Sequence, residues 1–240
     1  MISPSDRALI DLQAEALFTH DALGRIVRVN EQDGDPAPRF FLGRSAQGNT
    51  WRIRHNVPPD VTRELEALAA GEPVSSDLES PPRNLDAMMA ALARHQPASI
   101  DHTGPAYRFP DELPAPAQGV IRLTFANRGL LREMSDWASG IDSEDDFTAW
   151  GPGVVMVEDG IAVSICACSR LTDRVAEAGL ETLERYRGRG HAVQVVAAWA
   201  RAVRDTGRIP LYSTTWDNHA SRSVARKLGL IAYGSNFSLL

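Results

Sequence analysis

The pattern of apolar and polar residues is clearest between Ala176 and Thr206. Apolar residues recur there at intervals of three and four, which predicts a helix with one buried face: Ala192, Val195, Val196, Trp199 and Val203. The residues before it, Ala176 to Thr182, are predicted to form a short strand. A glycine-rich run, Arg187-Gly188-Arg189-Gly190-His191-Ala192, therefore lies between a strand and the start of a helix.

The same reading predicts further elements on both sides of this run. Strands are predicted at 119–125, 154–157, 161–168, 176–182 and 209–215, with a final strand or hairpin at 231–240. Helices are predicted at 128–137 and 218–230, and a polar connection at 139–146. Glu158-Asp159-Gly160 separates two apolar runs, which is a strong hairpin signal. Periodicity alone thus indicates an α/β or α+β fold.

The first half of the chain is predicted to be an α+β module. It contains helices at 4–17, capped near Ser5, at 63–70 and at 85–95, and strands at 25–30, 39–44 and 49–55. The proline-rich stretch Phe109 to Pro116 has the composition of a linker. We therefore expect two domains, residues 1–115 and 118–240. The first carries no recognisable motif, and two roles stay open for it: covering part of a substrate site, or forming an oligomer interface, as in a homodimer.

Composition narrows the classes of function. The 240 residues are 43% hydrophobic and 23% charged, with a net charge of −6. That balance argues against a nucleic-acid surface, and no apolar run approaches the ~20 residues of a membrane span. The N-terminus lacks a signal-peptide layout, so a cytoplasmic location is expected. Cys166 and Cys168 are expected to be buried thiols, and the histidines show no metal-ligand spacing, so no metal is predicted.

The glycine-rich run is a candidate phosphate site. Glycine lets the backbone approach a ligand, and a helix that begins there points unpaired N–H groups and the positive end of its dipole at the same place. No Lys-Ser or Lys-Thr follows, so the run is not a Walker A loop, and Val193 stands where a dinucleotide fingerprint needs Gly or Ala. Arg187, Gly190 and Ala192 instead fit the spacing R/Q-x-x-G-x-G/A. This resembles the pyrophosphate loop of the GCN5-related N-acetyltransferases, the GNAT family.

A second block supports this resemblance. Asn218 to Leu230 is similar to the fourth-helix segment of the family, in which an Asn opens the helix and a Lys-Leu-Gly sequence closes it. Asn218 is a good N-cap, and Gly229 fits the position just after a helix end. The resemblance covers residues 118 to 240, about half the chain. It implies a mixed, mostly antiparallel sheet with helices on both faces.

The resemblance also implies a coenzyme and its binding residues. Acetyl-CoA would be the co-substrate, with its diphosphate on Arg187, Gly188, Arg189, Gly190, His191 and Ala192. The pantetheine arm would bond to the backbone of Thr182 and Leu183, where the strand splays from its neighbour at a bulge, and a backbone N–H there would stabilise the oxyanion. Asn218 and Ser221 would reach the coenzyme from the other side.

Acetyl transfer to an amine needs a group that takes the amine proton. Glu177 and Glu181 are the candidates, because both lie on the strand that leads to the loop and share one face of it. The alternative is that these glutamates face solvent or pair with Arg174 or Arg185. Glu181 lies nearer the bulge and is favoured.

The general acid, which would protonate the leaving thiolate, departs from the family pattern in this chain. Many members place a Tyr seven residues after the helix-opening Asn, and this chain has Ala225 there. Tyr233, Ser223 and water are the substitutes considered, although a tyrosine at such a position is more often a packed aromatic residue with its hydroxyl at the rim. A non-catalytic acyl-CoA-binding module therefore stays open as the competing class, as does transfer to a hydroxyl.

The expected acceptor is a small cationic amine. The segment that walls the acceptor pocket in the family holds Glu133, Asp136 and the run Asp142 to Asp146 here, although such a run is also typical of a solvated loop. Glu181, Thr182, Tyr186 and Arg187 lie in a layout similar to a subgroup that includes antibiotic-resistance acetyltransferases.

Overall fold

The computed structural model describes residues 4–31, 37–134, 143–149 and 151–240, with the side chains of 146 and 149 left out. Its α-helices are α1 (Asp6–Leu17), α2 (Pro59–Ala70), α3 (Leu85–Ala93), α4 (Glu144–Ala149), α5 (His191–Asp205) and α6 (His219–Lys227). Its strands are β1 (Phe18–His20), β2 (Ile26–Val29), β3 (Phe40–Ser45), β4 (Gly48–Ile53), β5 (Ile100–Arg108), β6 (Val120–Arg122), β7 (Val154–Glu158), β8 (Ile161–Leu171), β9 (Val175–Thr182), β10 (Ile209–Ser213) and β11 (Ile231–Leu239). Two 3₁₀ helices span Phe125–Leu131 and Glu184–Tyr186.

The chain forms two compact units that do not follow chain order. Unit 1 comprises 1–108, 213–222 and 231–240, and unit 2 comprises 109–212 and 223–230. Two stretches from the end of the chain thus join the first 108 residues. The division into domains 1–115 and 118–240 stays a prediction.

Unit 1 is built on an antiparallel sheet in the order β4-β3-β11-β5. On one face, Leu42 and Phe237 pack with Leu65 of α2 and Leu92 of α3, all of them buried. On the other face lies α1, where a Cβ at Gly43 would stand 2.1 Å from Ile10 Cγ2. A side chain at that position would therefore push the helix off the sheet. A smaller sheet pairs β1 with β2.

Unit 2 contains strands in the order β10-β9-β8-β7-β6, of which β9 and β10 are parallel and the other pairs antiparallel. One face is covered by an apolar cluster that includes Ile165 and Ala167 of β8 and Leu131 of the 3₁₀ helix. Helix α5 covers the other face, where Trp199 lies beside Cys168, which stands opposite Ala178. The fold is thus a mixed, mostly antiparallel α/β architecture flanked by helices, as predicted.

Most predicted elements are present. Ser5 caps α1 by accepting from the Ala8 N–H at 3.2 Å. The Asp-Gly hairpin joins β7 to β8, with φ of 50° at Asp159 and 74° at Gly160, as a type I′ turn requires. The predicted strand at 176–182 and the helix after the glycine-rich run are β9 and α5.

Several predictions were wrong in detail. The helix predicted at 128–137 is the 3₁₀ helix Phe125–Leu131, and its last three predicted residues lie outside the described ones. The polar connection predicted at 139–146 contains the start of α4. Strand β5 was missed because Gly104 and Pro105 interrupt its pattern. Glycine is needed there, since a Cβ at 104 would stand 1.8 Å from the Thr214 carbonyl oxygen.

The predicted linker at Phe109–Pro116 packs against α5 instead. It has no regular structure, but Phe109 and Leu113 are buried, and the Phe109 ring lies 6.0 Å from that of Trp199. The Arg204 guanidinium donates to the carbonyls of Phe109, Pro110 and Asp111. The prediction of a linker was therefore wrong, because the stretch is held by an arginine almost a hundred residues later.

Candidate active site

The glycine-rich run forms an exposed loop that ends at the first turn of α5. Gly188 and Gly190 have φ of 78° and 87°, a region in which residues with a Cβ are strained. Gly190 is the N-cap of α5 and supplies no side-chain cap. The first bond of the helix runs from the Gln194 N–H to the Gly190 carbonyl, so the N–H groups of His191, Ala192 and Val193 precede it. These donors, with the helix dipole, make the loop suitable for an anion.

The charged side chains of the loop are held by neighbours within unit 2. The Arg187 Nε donates to the Thr182 carbonyl at 3.2 Å. Arg189 stacks 4.8 Å from the Tyr186 ring and lies 3.4 Å from Glu158. The His191 Nε2 is 3.1 Å from the other Glu158 oxygen, although the geometry is not that of a hydrogen bond. Glu158, at the end of β7, thus anchors the loop from the hairpin.

Strands β9 and β10 diverge just before the loop. Their parallel pairing covers three residues and stops at Glu177 opposite Leu211, whereas β9 continues to Thr182. The irregularity that accompanies the divergence lies on β8, between Cys168 and Arg170. The predicted splay is therefore present, with its bulge on the neighbouring strand β8 rather than on β9.

Alternation along β9 shows which backbone groups face the edge that β10 leaves. The Leu183 N–H donates to the Val163 carbonyl on β8, and the Ile209 N–H donates to the Arg174 carbonyl from the β10 side. Odd-numbered residues therefore bond towards β8, and even-numbered ones face β10. Beyond Glu177, this places the backbone groups of Ala178, Leu180 and Thr182 on the diverging edge.

Thr182 and Leu183 were both predicted to bind pantetheine, but they differ in whether their backbone groups are available to a ligand. The Thr182 N–H faces the diverging edge, and the Thr182 hydroxyl lies 2.8 Å from that of Ser164. Both backbone groups of Leu183 are engaged, because its N–H bonds Val163 and its carbonyl accepts from the Tyr186 N–H at 2.8 Å. Leu180, which the sequence did not single out, shares the parity of Thr182 and is better placed than Leu183. Counting by two from Thr182 would have identified it.

Glu177 and Glu181 share one face of β9, as predicted. Glu181 stands opposite Ile165, and Gly179 opposite Ala167, so this face carries the apolar cluster of the 3₁₀ helix and lies opposite α5. Glu177 is 2% exposed, whereas Glu181 is half-buried. Glu181 forms no ion pair with Arg185 among the described residues. Arg185 pairs instead with Glu133.

Three predicted site residues belong to unit 1. Asn218 caps α6, since its Oδ1 accepts from the Ser221 N–H at 3.0 Å. Tyr233 is 1% exposed and occupies the bulge where β11 slips against β5. Its hydroxyl is buried, so the reading that places it at a rim was wrong. The roles of Asn218, Ser221 and Tyr233 stay predictions.

The C-terminal end of α6 lies in unit 2 and matches its predicted signal. Gly229 has φ of 63°, its N–H bonds the Arg226 carbonyl, and the Leu230 N–H bonds the Ala225 carbonyl. These two bonds form a Schellman motif. Ala225 itself is 2% exposed. The position at which the family places a phenol is therefore filled by a small buried side chain.

The remaining candidate residues, the two cysteines and the acidic residues, contribute less to the site. Burial raises the pKa of Cys168 to about 11 and that of Cys166 as well, so both are inert thiols as expected. Of the acids predicted to wall an acceptor pocket, Glu133 is ion-paired, Glu144 and Asp145 are exposed, and Asp136 and Asp142 lie outside the described residues. Over the described ranges, no cluster of three His, Cys, Asp or Glu side chains could hold a metal. No described helix is long and apolar enough to span a membrane.

The chain is similar to a known family and to several solved structures. Residues 129–235 match the family model described as GNAT acetyltransferase. Among solved structures, an acetyltransferase from the GNAT family of Colwellia psychrerythraea is 14% identical, with 100% of this chain and 98% of that one covered and a TM-score of 0.51. At this identity the likeness shows the fold, and it does so over the whole chain.

Two further structures are similar at lower scores. A GCN5-related N-acetyltransferase-like protein from Streptococcus suis 89/1591 is 16% identical, covering 87% of this chain and 86% of that one, with a TM-score of 0.49. A GCN5-related N-acetyltransferase from Kribbella flavida is 22% identical, covering 63% and 62%, with a TM-score of 0.46. The chain thus spans less than two thirds of the Kribbella flavida protein. No curated protein matches the sequence.

Proposed function

Residues 129–235 match the GNAT acetyltransferase family model, and from this premise we propose that the chain transfers an acetyl group from acetyl-CoA to the amine of a small cationic acceptor. One observation carries the proposal. The Arg187 to Ala192 loop opens α5 directly beside the edge of β9 that β10 leaves. An anion site and an unpaired strand edge are the two features needed to hold a diphosphate and its amide-containing arm.

In this proposal, different residues bind different parts of the coenzyme. The N–H groups of His191, Ala192 and Val193 and the positive glycine φ angles suit the diphosphate. Leu180 offers its N–H and carbonyl, and Thr182 its N–H, to an extended arm, as an added strand would use them. Arg187 already bonds the Thr182 carbonyl, so in this proposal its guanidinium joins the loop to the strand edge.

The transfer needs one proton removed and one supplied. The amine nitrogen attacks the thioester carbon, the C–N bond forms, the C–S bond breaks, and the proton of the amine passes to Glu181. The Thr182 N–H is directed at the edge where the carbonyl oxygen would gain charge. The thiolate takes a proton from water, because Ala225 supplies none. Tyr233 and Ser223 stay as alternative donors.

Charge on the β9 face supports a cationic acceptor. Glu177 and Glu181 place two carboxylates on the face that carries the apolar cluster. Glu133 contributes less, since Arg185 neutralises it. Amine identity, the antibiotic-resistance subgroup and a cytoplasmic location are parts of the proposal that rest on the sequence alone.

A second candidate is a non-catalytic acyl-CoA-binding protein. The observation in its favour is the buried Ala225 at the place where a phenol would protonate the leaving thiolate. Coenzyme binding without thiol release, in a screen of amine and hydroxyl acceptors, would select this candidate. Release with an amine acceptor would select the enzyme.

Gly190→Asp tests the binding site. The aspartate would place a carboxylate where the diphosphate is proposed to meet backbone N–H groups, so acetyl-CoA affinity should fall about tenfold or more in calorimetry. Gly207→Asp is the matched control at the other end of α5: its φ is 82° against 87°, and neither glycine has a heavy atom within 4 Å of an added Cβ. Equal affinity in both folded variants would place the coenzyme elsewhere.

A further inference from the structure

A pocket in unit 1 is lined by both cationic and apolar side chains. It lies between β4, the start of α2 and the end of α3, and its lining includes Arg39, Arg54, Asn56, Val57, Val61 and Leu92. None of the described residues that line it is acidic. The glycine-rich loop and its strand edge use none of these residues.

The two arginines differ in how they are satisfied. Arg39 is 4% exposed, and its two terminal nitrogens donate to main-chain oxygens of Leu92, Gln96, Pro97 and Leu240. Arg54 donates from Nη1 to the Ala37 carbonyl at 2.7 Å and from Nε to Asn56 Oδ1 at 2.8 Å. In the part of the chain that the structure describes, no bond from its Nη2 is formed. The fork of Arg54 therefore keeps donors for a ligand.

Charge and burial make an anion favourable here. Burial lowers the pKa of Arg39 and of Arg54, and Arg54 further lowers that of Arg39. Two guanidinium groups partly removed from water repel each other, and an anion between them would offset that cost. The N-terminus of α2, which has no side-chain cap and whose N-cap Pro58 lines the pocket, adds positive potential.

The apolar wall selects among anions. Val57, Val61 and Leu92 are buried side chains of the lining, so part of any ligand would contact aliphatic carbon. A guanidinium fork matches the geometry of a carboxylate. We propose that this pocket binds a small aliphatic carboxylate, with its carboxylate on Arg54 and its alkyl group against Val57, Val61 and Leu92. This is a ligand site additional to the proposed coenzyme site.

The test follows the arginine Nε–H resonances of the whole chain by NMR while sodium butyrate is added. Butyrate should shift the Arg54 resonance saturably, and acetate should bind about tenfold more weakly because it lacks two methylenes. Butyramide, which has the same shape and no charge, should cause no saturable shift. These three ligands test the proposal on the unaltered protein.

Two variants complete the experiment. Arg54→Gln should weaken butyrate binding about tenfold or more, measured by the shift of the Arg39 resonance. Arg28→Gln is the control, because it removes the same charge from an exposed site on β2. It should leave the affinity for butyrate unchanged. Gly190→Asp should also leave butyrate binding intact, so failure of the coenzyme proposal is distinguishable. Equal binding of butyrate and butyramide, no saturable shift, or unchanged affinity in folded Arg54→Gln would overturn the proposal.

Discussion

Glu177 and Glu181 have different surroundings although they share one face of β9. Glu177 is 2% exposed, and its carbonyl accepts from the Ser169 hydroxyl at 3.3 Å on the bulged strand. Glu181 is half-buried opposite Ile165. A base must reach both the acceptor and a path for its proton, so accessibility favours Glu181.

Replacing Glu181 by Gln should therefore reduce turnover by about 10²–10⁴-fold, the usual contribution of a positioned base. Shape and polarity are kept, and acetyl-CoA affinity should hardly change, since the coenzyme is assigned to backbone groups. Steady-state kinetics with an amine found in the acceptor screen measure the effect, and calorimetry checks the affinity.

Glu177→Gln is the matched comparison on the same strand face. It should act through acceptor KM if this carboxylate only attracts a cation. Full activity of both variants across the pH range would remove side-chain base catalysis from the proposal. Catalysis would then rest on proximity, with an amine that arrives already neutral.

At the level of elements, β9 has two edges with different roles. The N–H of Gly179 lies on the β8 side, where Gly179 stands opposite Ala167, and the N–H of Leu180 lies on the side from which β10 departs. Proline removes an N–H and is tolerated at strand edges but not within a ladder. Neighbouring proline substitutions thus separate the two roles.

Leu180→Pro should fold with a small loss of stability and bind acetyl-CoA at least several-fold more weakly, because the diverging edge loses a donor. Gly179→Pro should lower the free energy of unfolding by about 1–3 kcal/mol, the cost of leaving the partner carbonyl unpaired. Urea denaturation and calorimetry on both variants measure these effects. Unchanged affinity in folded Leu180→Pro would remove this edge from the coenzyme site.

How much of the fold and of the candidate site the sequence predicts depends on whether the interacting residues lie close together in the sequence. The loop, the start of α5, the Asp-Gly hairpin and the Schellman end of α6 follow from local rules and were all predicted. The bulge on β8, the bond of Leu183 to Val163 and the contact of Glu158 with His191 depend instead on how one element pairs with another. Strand β5 was missed for the same reason, since its Gly104 is explained only by Thr214.

At the scale of the whole molecule, the last strand belongs with the first residues of the chain. Strand β11 pairs with β3 on one side and β5 on the other, and its Phe237 shares an apolar cluster with Leu42. A fragment that starts near Ala117 would deprive β11 of both partners. Truncation is therefore a poor test of whether the N-terminal residues are needed for coenzyme binding.

A core substitution in the full chain tests this organisation directly. Leu42 is 1% exposed and packs against α2 and α3, so Leu42→Ala should cost about 2–5 kcal/mol. If unit 1 opens as a cooperative element, amide hydrogen exchange should accelerate together in β3, β5 and β11. Protection in α5, around Val195 and Val196, should remain.

Val196→Ala is the reciprocal variant, since Val196 is fully buried in α5 of unit 2. It should accelerate exchange in α5 and leave β3 and β11 protected. Equal acceleration at all sites in both variants would show that the chain unfolds as one cooperative body. Acceleration of β11 with α5 rather than with β3 would contradict its assignment to unit 1. The two variants together thus decide whether stability follows the compact units or the order of the chain.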